Sequence, residues 1–395
     1  MRLVHLSDLH LGYRQYQRLT PTGINQRELD VARTFQNVVA EIIALRPDII
    51  LVAGDVFHAA RPTNAAILHA FRQFVRLRTE LPSAPIVVVA GNHDTPRTTE
   101  TGSILALFEQ LGVTVAASEA RRFPFPDLDL AVLAVPDVPG AQPELVPDAT
   151  YAHNVLLMHA DVEDVVPRYY AEMDRAAIRV KRSDLMAARW SYVGLGHYHV
   201  HQRVADNAYY SGSLDYTSLH VWGDRAEEED QGLRGKSFVE FDLATRKMKR
   251  HAITPSREFA ELREISARGK SVAEVDAAIR AAVEKHKGGI DDKIVRLVIT
   301  DLPKHVAREL DHRALREYKR RALHFNLITR RPDSTPQAGQ AAPGRRPSVT
   351  DVVREELRRR ELPADLDRDR LIELGMQYLA DAEAVTSAAT LEAES

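Results

Sequence analysis

Five apolar runs of strand length in the first 200 residues each end in a cluster of polar, metal-capable side chains, and few folds accommodate that repetition. Arg2–Leu6 runs into SDLH (Ser7 to His10), Ile49–Ala53 into GDVFH (Gly54 to His58), and Ile86–Ala90 into GNHD (Gly91 to Asp94). Val155–Met158 ends at His159 in MHAD, and Tyr192–Leu195 runs into GHYH, which carries His197 and His199. The runs are almost continuously apolar, as in a sheet covered on both faces. Between the first two, Leu29, Phe35, Val38, Val39, Ile42 and Ile43 recur at helical spacing, Pro47 ends that helix, and Ala65–Leu77 offers another. Strand, helix, strand, helix, strand predicts an α/β layer architecture, with a further strand at Leu130–Val135. Ligands of open α/β sheets bind in the crevice beyond the carboxyl ends of the strands, so the five clusters are expected to converge on one edge.

The residue types narrow the chemistry. Asp8 and His10 are two apart, as are His197 and His199, and in extended chain such pairs face the same way. Asp8, His10, Asp55, Asn92, His159, His197 and His199 together offer carboxylate, amide and imidazole donors without sulfur, which suits Mn²⁺, Fe²⁺ or Zn²⁺ better than Ca²⁺ or Cu(I). Seven donors exceed what one such ion takes from protein. Two ions sharing a carboxylate would use them and could drive an in-line phosphoryl displacement. His5, inside the first run, is expected in the core, His201 in a solvated loop, and His69, His153, His220 and His251 on the surface or in structural roles. Asp94 is expected to orient the neighbouring His93 ring.

The chain has 395 residues and no cysteine, which excludes disulfides, thiolate metal sites and cysteine nucleophiles. Its 53 Lys+Arg against 56 Asp+Glu leave a net charge of −3, so any nucleic-acid binding must come from local patches. No apolar run approaches the roughly 20 residues of a membrane span, and a soluble, cytosolic protein is the expectation. After Pro255 a second unit of about 75 residues reads as strand, helix, strand, helix, strand: Phe259–Ile265, Val272–His286, Lys293–Thr300, Val306–Ala322 and Phe325–Thr329. Residues 330–347 are rich in Pro, Gly, Ala and Gln and read as a flexible linker. Beyond it, Val349, Val352, Val353 and Leu357 form one apolar stripe, Pro363 interrupts, and Leu371, Leu374, Tyr378 and Leu379 form a second. Two short amphipathic helices follow, whose apolar faces need a groove, a partner helix or the main body to cover them.

The succession D-x-H, GD, GNHD, H and GHxH resembles that of the calcineurin-like metallophosphoesterases. SDLHLG (Ser7 to Gly12), GDVFH and GSL (Gly212 to Leu214), followed by a small domain and a terminal helix pair, are more narrowly similar to the SbcD-type DNA double-strand-break repair nucleases of that superfamily. The resemblance implies an α/β metallophosphoesterase sandwich over residues 1–254, a small α+β DNA-binding capping domain over 255–329, and a helix pair at 348–381 before a tail at 382–395. It implies that Asp8, His10, Asp55 and His199 hold one Mn²⁺, and that Asp55 bridges to a second held by Asn92, His159 and His197. His93 would be the catalytic histidine at the departing sugar oxygen, with His58 placing the DNA phosphate or that ring. The implied activities are 3′ to 5′ double-strand exonuclease and single-strand endonuclease. The implied partners are DNA, an SbcC-type SMC-like ATPase bound through the helix pair, and a second copy through helices near Ala65–Leu77 and Thr101–Leu111.

Two features stand apart from this pattern. Val221 to Lys236 is acidic and reads as a loop where a shorter connection is expected, and near a DNA path it would repel phosphate. The run Arg313, Arg316, Lys319, Arg320 and Arg321 offers phosphate contacts or an ordinary solvated helix face. The metal cluster by itself also fits a phosphoesterase acting on a small molecule or a phosphoprotein.

Overall fold

Strand β1 (Arg2–Leu6) pairs in parallel with β2 (Ile49–Ala53), and every residue of β2 is buried. The two-residue period explains this: Ile49, Leu51 and Ala53 enter one core, while Ile50 and Val52 enter another on the opposite face. The computed structural model describes residues 1–96, 102–139, 144–167, 170, 174–218, 220–332, 349–359 and 367–379. The strands that follow are β3 (Ile86–Val89), β4 (Thr114–Ala116), β5 (Arg121–Phe125), β6 (Leu130–Val135), β7 (His153–His159), β8 (Asp161–Glu163), β9 (Arg179–Lys181), β10 (Tyr192–Gly196), β11 (Gln202–Ala205), β12 (Ala208–Tyr210), β13 (Ser237–Asp242) and β14 (Lys247–Ala252).

Twelve of the strands β1 to β14 build two six-stranded sheets, ordered β14-β13-β1-β2-β3-β4 and β11-β12-β10-β7-β6-β5, while β8 and β9 form a separate two-stranded pair. Strands β1 to β4 run parallel, as do β6, β7, β10 and β12. Antiparallel pairings close three of the four edges, through β13 and β14, β11 and β5, while β4 leaves the fourth edge parallel. Leu3, Leu51, Val87, Val132, Leu157, Tyr192 and Phe241 fill the space between the sheets. His5 lies there too, its Nδ1 2.9 Å from the Tyr192 hydroxyl across the sandwich, as expected of a core histidine.

The outer face of the first sheet is covered by α1 (Gln26–Leu45) and α2 (Asn64–Glu80). Asn25 and Thr63 cap them, their side-chain oxygens accepting from the backbone N–H of Arg27 and Ala66. The acidic stretch is a helix and not a loop: α3 (Val221–Asp230) turns Val221, Asp224 and Glu228 inward.

Residues 255–329 carry a further core. The expected first strand is split into β15 (Phe259–Glu261) and β16 (Ile265–Ser266), which line up along one side of β17 (Ile294–Thr300), while β18 (His324–Thr329) takes the other, all in parallel. Helix α4 (Val272–Lys285) starts with a capping box between Ser271 and Glu274. The expected second helix is two, α5 (Lys304–Glu309) and α6 (His312–Arg321), because Asp311 leaves helical geometry to cap the second. Phe259, Ile294 and Leu323 pack with Tyr16, Tyr216, Val221 and Trp222, which seats this core on the sandwich.

Residues Asp333–Ser395 cluster as a separate unit. It contains α7 (Val349–Arg359) and a helix over residues 368–379, joined by a bond from the Arg368 guanidinium to the Leu357 carbonyl at 3.2 Å. Most of the expected linker, Pro363 and the tail lie outside the described residues. No helix among the described residues is long and apolar enough to cross a membrane.

Candidate metal centre

The loops after β1 and β2 continue side by side past the ends of their strands. The Asp8 N–H donates to the Gly54 carbonyl at 3.0 Å, His10 N–H to the Asp55 carbonyl at 2.9 Å and Leu11 N–H to the Val56 carbonyl at 3.0 Å. To make these bonds, Asp8, His10 and Asp55 take left-handed backbone with φ near +50°, and His197 takes φ 103°. Each such residue costs about 1–3 kcal/mol, and such strain concentrates where a fold is committed to presenting side chains. Glycine lets the other loops come close. A Cβ on Gly196 would overlap the Ala53 carbonyl, and one on Gly91 would overlap the Asp55 carboxylate.

The seven expected donors converge at the shared carboxyl edge of the two sheets. His159 gives its Nδ1–H to the Ala53 carbonyl at 2.8 Å, so its Nε2 lone pair faces Asn92 Oδ1 at 2.9 Å. Asn92 gives its amide N–H to Asp174 at 2.8 Å, which turns Oδ1 inward. His197 places Nε2 3.2 Å from Asp161, leaving Nδ1 3.3 Å from the same Asn92 oxygen. His10 and His199 face each other through Nε2 at 2.9 Å. Asp55 Oδ1 accepts from the His93 N–H, while Oδ2 is buried without a hydrogen-bond partner, 3.7 Å from both His10 Nε2 and His159 Nε2. Asp8 accepts from the Ser7 hydroxyl and from the His197 N–H.

Lone pairs set against lone pairs around an orphaned carboxylate oxygen repel one another, and a cation among them removes the repulsion. Two groups suit this: Asp8, His10 and His199, and Asp8, Asp55 and His159, each with donor atoms within 4.8 Å of one another. The donor set therefore fits divalent cations. Burial pushes the His159 imidazole down to about 3, and burial with the neighbouring imidazoles holds His10 well below its usual value, so these rings present free lone pairs at neutral pH. Burial raises Asp8 to about 7.

Beside the donors opens a cavity of about 350 Å³ lined by His10, Tyr13, His58, His93, Tyr170 and Asp174, among others. His93 gives Nδ1–H to the His58 carbonyl at 2.8 Å, and its Nε2 lies 3.4 Å from Asp174. Burial disfavours a charged His93, but the Asp174 hydrogen bond and the Asp55 and Asp174 charges outweigh it and lift the ring to about 10. The His58 ring stacks on His93 at 5.1 Å, and burial pushes it down to about 4.

Two expectations are corrected, for Asp94 and for His201. Asp94 does not touch the His93 ring; it accepts from the backbone N–H groups of Val56, Phe57 and Gly91, binding the second and third loops together. His220 is exposed, as expected, at the rim of the cavity. His201 is half-buried against the Tyr209 ring and not in a solvated loop. Asp161 and Asp174 were not foreseen. Asp161 sits in MHAD, two residues past His159, so a signal for it existed; Asp174 lies in a stretch without any pattern.

Several curated proteins are similar to this chain. It is 26% identical over 252 residues to the DNA double-strand break repair protein Mre11 of Methanocaldococcus jannaschii, covering 62% of this chain and 63% of the relative. It is 28% identical over 204 residues to the protein of that name from Sulfurisphaera tokodaii, covering 50% and 49%, and 36% identical over 100 residues to that from Sulfolobus acidocaldarius, covering 25% and 24%. The chain thus spans less than two thirds of the length of these relatives. A match to the calcineurin-like phosphoesterases covers residues 1–200, which hold β1 to β10 and every donor described above. By that match, over half its length, the chain belongs to the calcineurin-like phosphoesterase family.

Proposed function

We propose that this chain is a two-metal DNA nuclease, the nuclease subunit of an SbcCD-type complex in DNA repair, recombination and replication. One observation carries the chemistry: Asp55 Oδ2, buried and unsatisfied, stands 3.7 Å from a histidine of each half of the donor cluster, as a bridging carboxylate must. Asp8, His10, Asp55 and His199 would hold one ion, and Asp55, Asn92, His159 and His197 the other, with Mn²⁺ the favoured metal. Two such ions, when bound, would lower the pKa of a water and neutralise charge on the phosphoryl oxygens.

The chain's own groups do the rest. His93 has Nδ1–H committed to the His58 carbonyl, so Nε2 is the ring atom it can offer to a departing sugar oxygen in the cavity. His58 buttresses that ring and lines the same cavity. DNA as substrate is supported by the names of the relatives and by the capping core over residues 255–329, where Arg313, Arg316 and Lys319 are exposed. Arg320 and Arg321 are paired to Glu317 and Asp291 and contribute less. The helices of residues 348–381 dock on an SbcC-type ATPase. Exposed Leu68 and Val75 on α2, and exposed Leu107 on the helical segment Ile104–Leu111, support a homodimer.

Mn²⁺-dependent digestion of an end-labelled duplex, run beside a small phosphodiester, tests this. Wild type is expected to digest the duplex, and His93→Ala to lose about 10²- to 10⁴-fold in rate with metal content and melting temperature unchanged. Cleavage of the small phosphodiester alone would favour the small-molecule enzyme; full activity in the variant would remove His93 from its role.

A further inference from the structure

The acidic stretch supplies a charge cluster that the chemistry above does not use. Lys236 is 1% exposed at its side chain, and its ammonium lies 2.9 Å from Glu228 Oε1 and 3.6 Å from Asp224 Oδ2. The same ammonium donates to the backbone carbonyl of His199 at 3.0 Å. Each carboxylate is held in turn: Glu228 accepts from the Tyr216 hydroxyl at 2.6 Å, and Asp224 from the Ser218 hydroxyl at 2.8 Å. A lysine is expensive to bury and survives only where it is paired and hydrogen-bonded, so this arrangement fixes its Nζ in space.

What the ammonium grips is a ligand residue outside regular structure. Residues 197–201 follow β10 without forming strand, and the His199 carbonyl is held by Lys236 and by the Ser213 N–H at 3.0 Å. Those two bonds set where the His199 ring can point. The first turn of α3 also packs on the capping core: Val221 and Trp222 pack with Phe259, Ile294 and Leu323, and the Arg296 guanidinium lies 5.5 Å over the Trp222 ring.

We propose that Lys236 is a positioning residue for His199, and that α3 is a strut tying this ligand to the cap, so that cap seating and the affinity of one metal position change together. The inference rests on the metal-centre reading above. Metal ligands are held by such outer partners, whose loss lowers metal affinity by roughly 10- to 100-fold.

Mn²⁺ titration of the metal-stripped full chain by calorimetry, with electron paramagnetic resonance to count bound ions, separates the cases. Wild type is expected to take two ions. Replacing Asp224→Asn, Glu228→Gln and Lys236→Met together removes the cluster without stranding a charge; one ion should weaken at least tenfold or so while the other holds its affinity. Trp222→Ala, on the cap side, should weaken the same ion. Glu228→Gln alone serves if the triple variant does not fold, with a smaller loss at that ion expected. Two ions at wild-type affinity in these variants, whatever the melting temperature, would make the cluster merely structural and overturn the proposal, as would equal weakening of both. A wild-type chain that binds no Mn²⁺ would overturn the metal-centre reading itself, and this inference with it.

Discussion

Asp161 does for His197 what the Ala53 carbonyl does for His159: each engages one ring nitrogen so that the other faces the donor cluster. An imidazole binds a cation through an unprotonated nitrogen, so the partner of the far nitrogen decides whether a ligand is ready or must first rearrange. Asp161→Asn keeps the size but removes the charge that holds Nε2–H. Mn²⁺ affinity is expected to fall about 10- to 100-fold, read by calorimetry, with the circular dichroism spectrum unchanged. An unaltered affinity would mean that the ring is held by packing alone. The donors themselves were legible in sequence because they come in short motifs at strand ends. Asp174 was not, because a side chain reaching Asn92 and His93 from about 80 residues away leaves no local pattern. Asp94 was placed in the right cluster but given the wrong partner, since sequence adjacency to His93 says nothing of which way either side chain turns.

At the scale of elements, α1 is tied to its surroundings by charge as well as by its apolar face. Arg27 is fully buried, 2.9 Å from Asp215 and 3.6 Å from Asp30, and Asp30 also takes a bidentate pair from Arg257 at 2.8 Å. These bonds join α1, the GSL segment and the entry to the capping core. Breaking a buried pair from one side costs about 3–5 kcal/mol, because the remaining carboxylates stay desolvated. Arg27→Met is expected to lower stability by about that amount in urea unfolding; a loss below about 1 kcal/mol would mean that water or Arg257 compensates. Helix α3 shows why some elements escape periodicity. Its inward positions, Val221, Asp224 and Glu228, do recur at helical spacing, but two of the three are charged, so an apolar pattern cannot reveal them. In the capping core, Asp311 inside a continuous apolar rhythm ended one helix and capped the next, a local hydrogen bond outweighing the pattern.

For the whole molecule, the division into residues up to Pro332 and residues from Asp333 onward suggests separable tasks. The terminal helices bond to each other through Arg368 and the Leu357 carbonyl, while Leu374 and Tyr378 are exposed. Exposed apolar side chains on a short helix pair call for a partner surface. Removing residues 348–395 is expected to leave the proposed Mn²⁺-dependent cleavage intact and to abolish co-purification with the proposed ATPase partner, checked by activity and by pull-down from one preparation. Retained co-purification would put the docking surface elsewhere.

From the sequence alone came the α/β class, the donor set and the order in which the strands deliver it. Those properties follow from local rules: apolar runs of strand length, glycines at their ends, and donors two apart. The tertiary structure decided that the strands divide between two sheets whose carboxyl edges meet. It also decided that Asp161, Asp174 and Lys236 stand behind the clustered donors, and that an acidic stretch folds inward beneath His199. Burial is what changes their meaning: a carboxylate in water is a solvated charge, whereas the same group taken out of water must find a partner, and only the assembled fold says which.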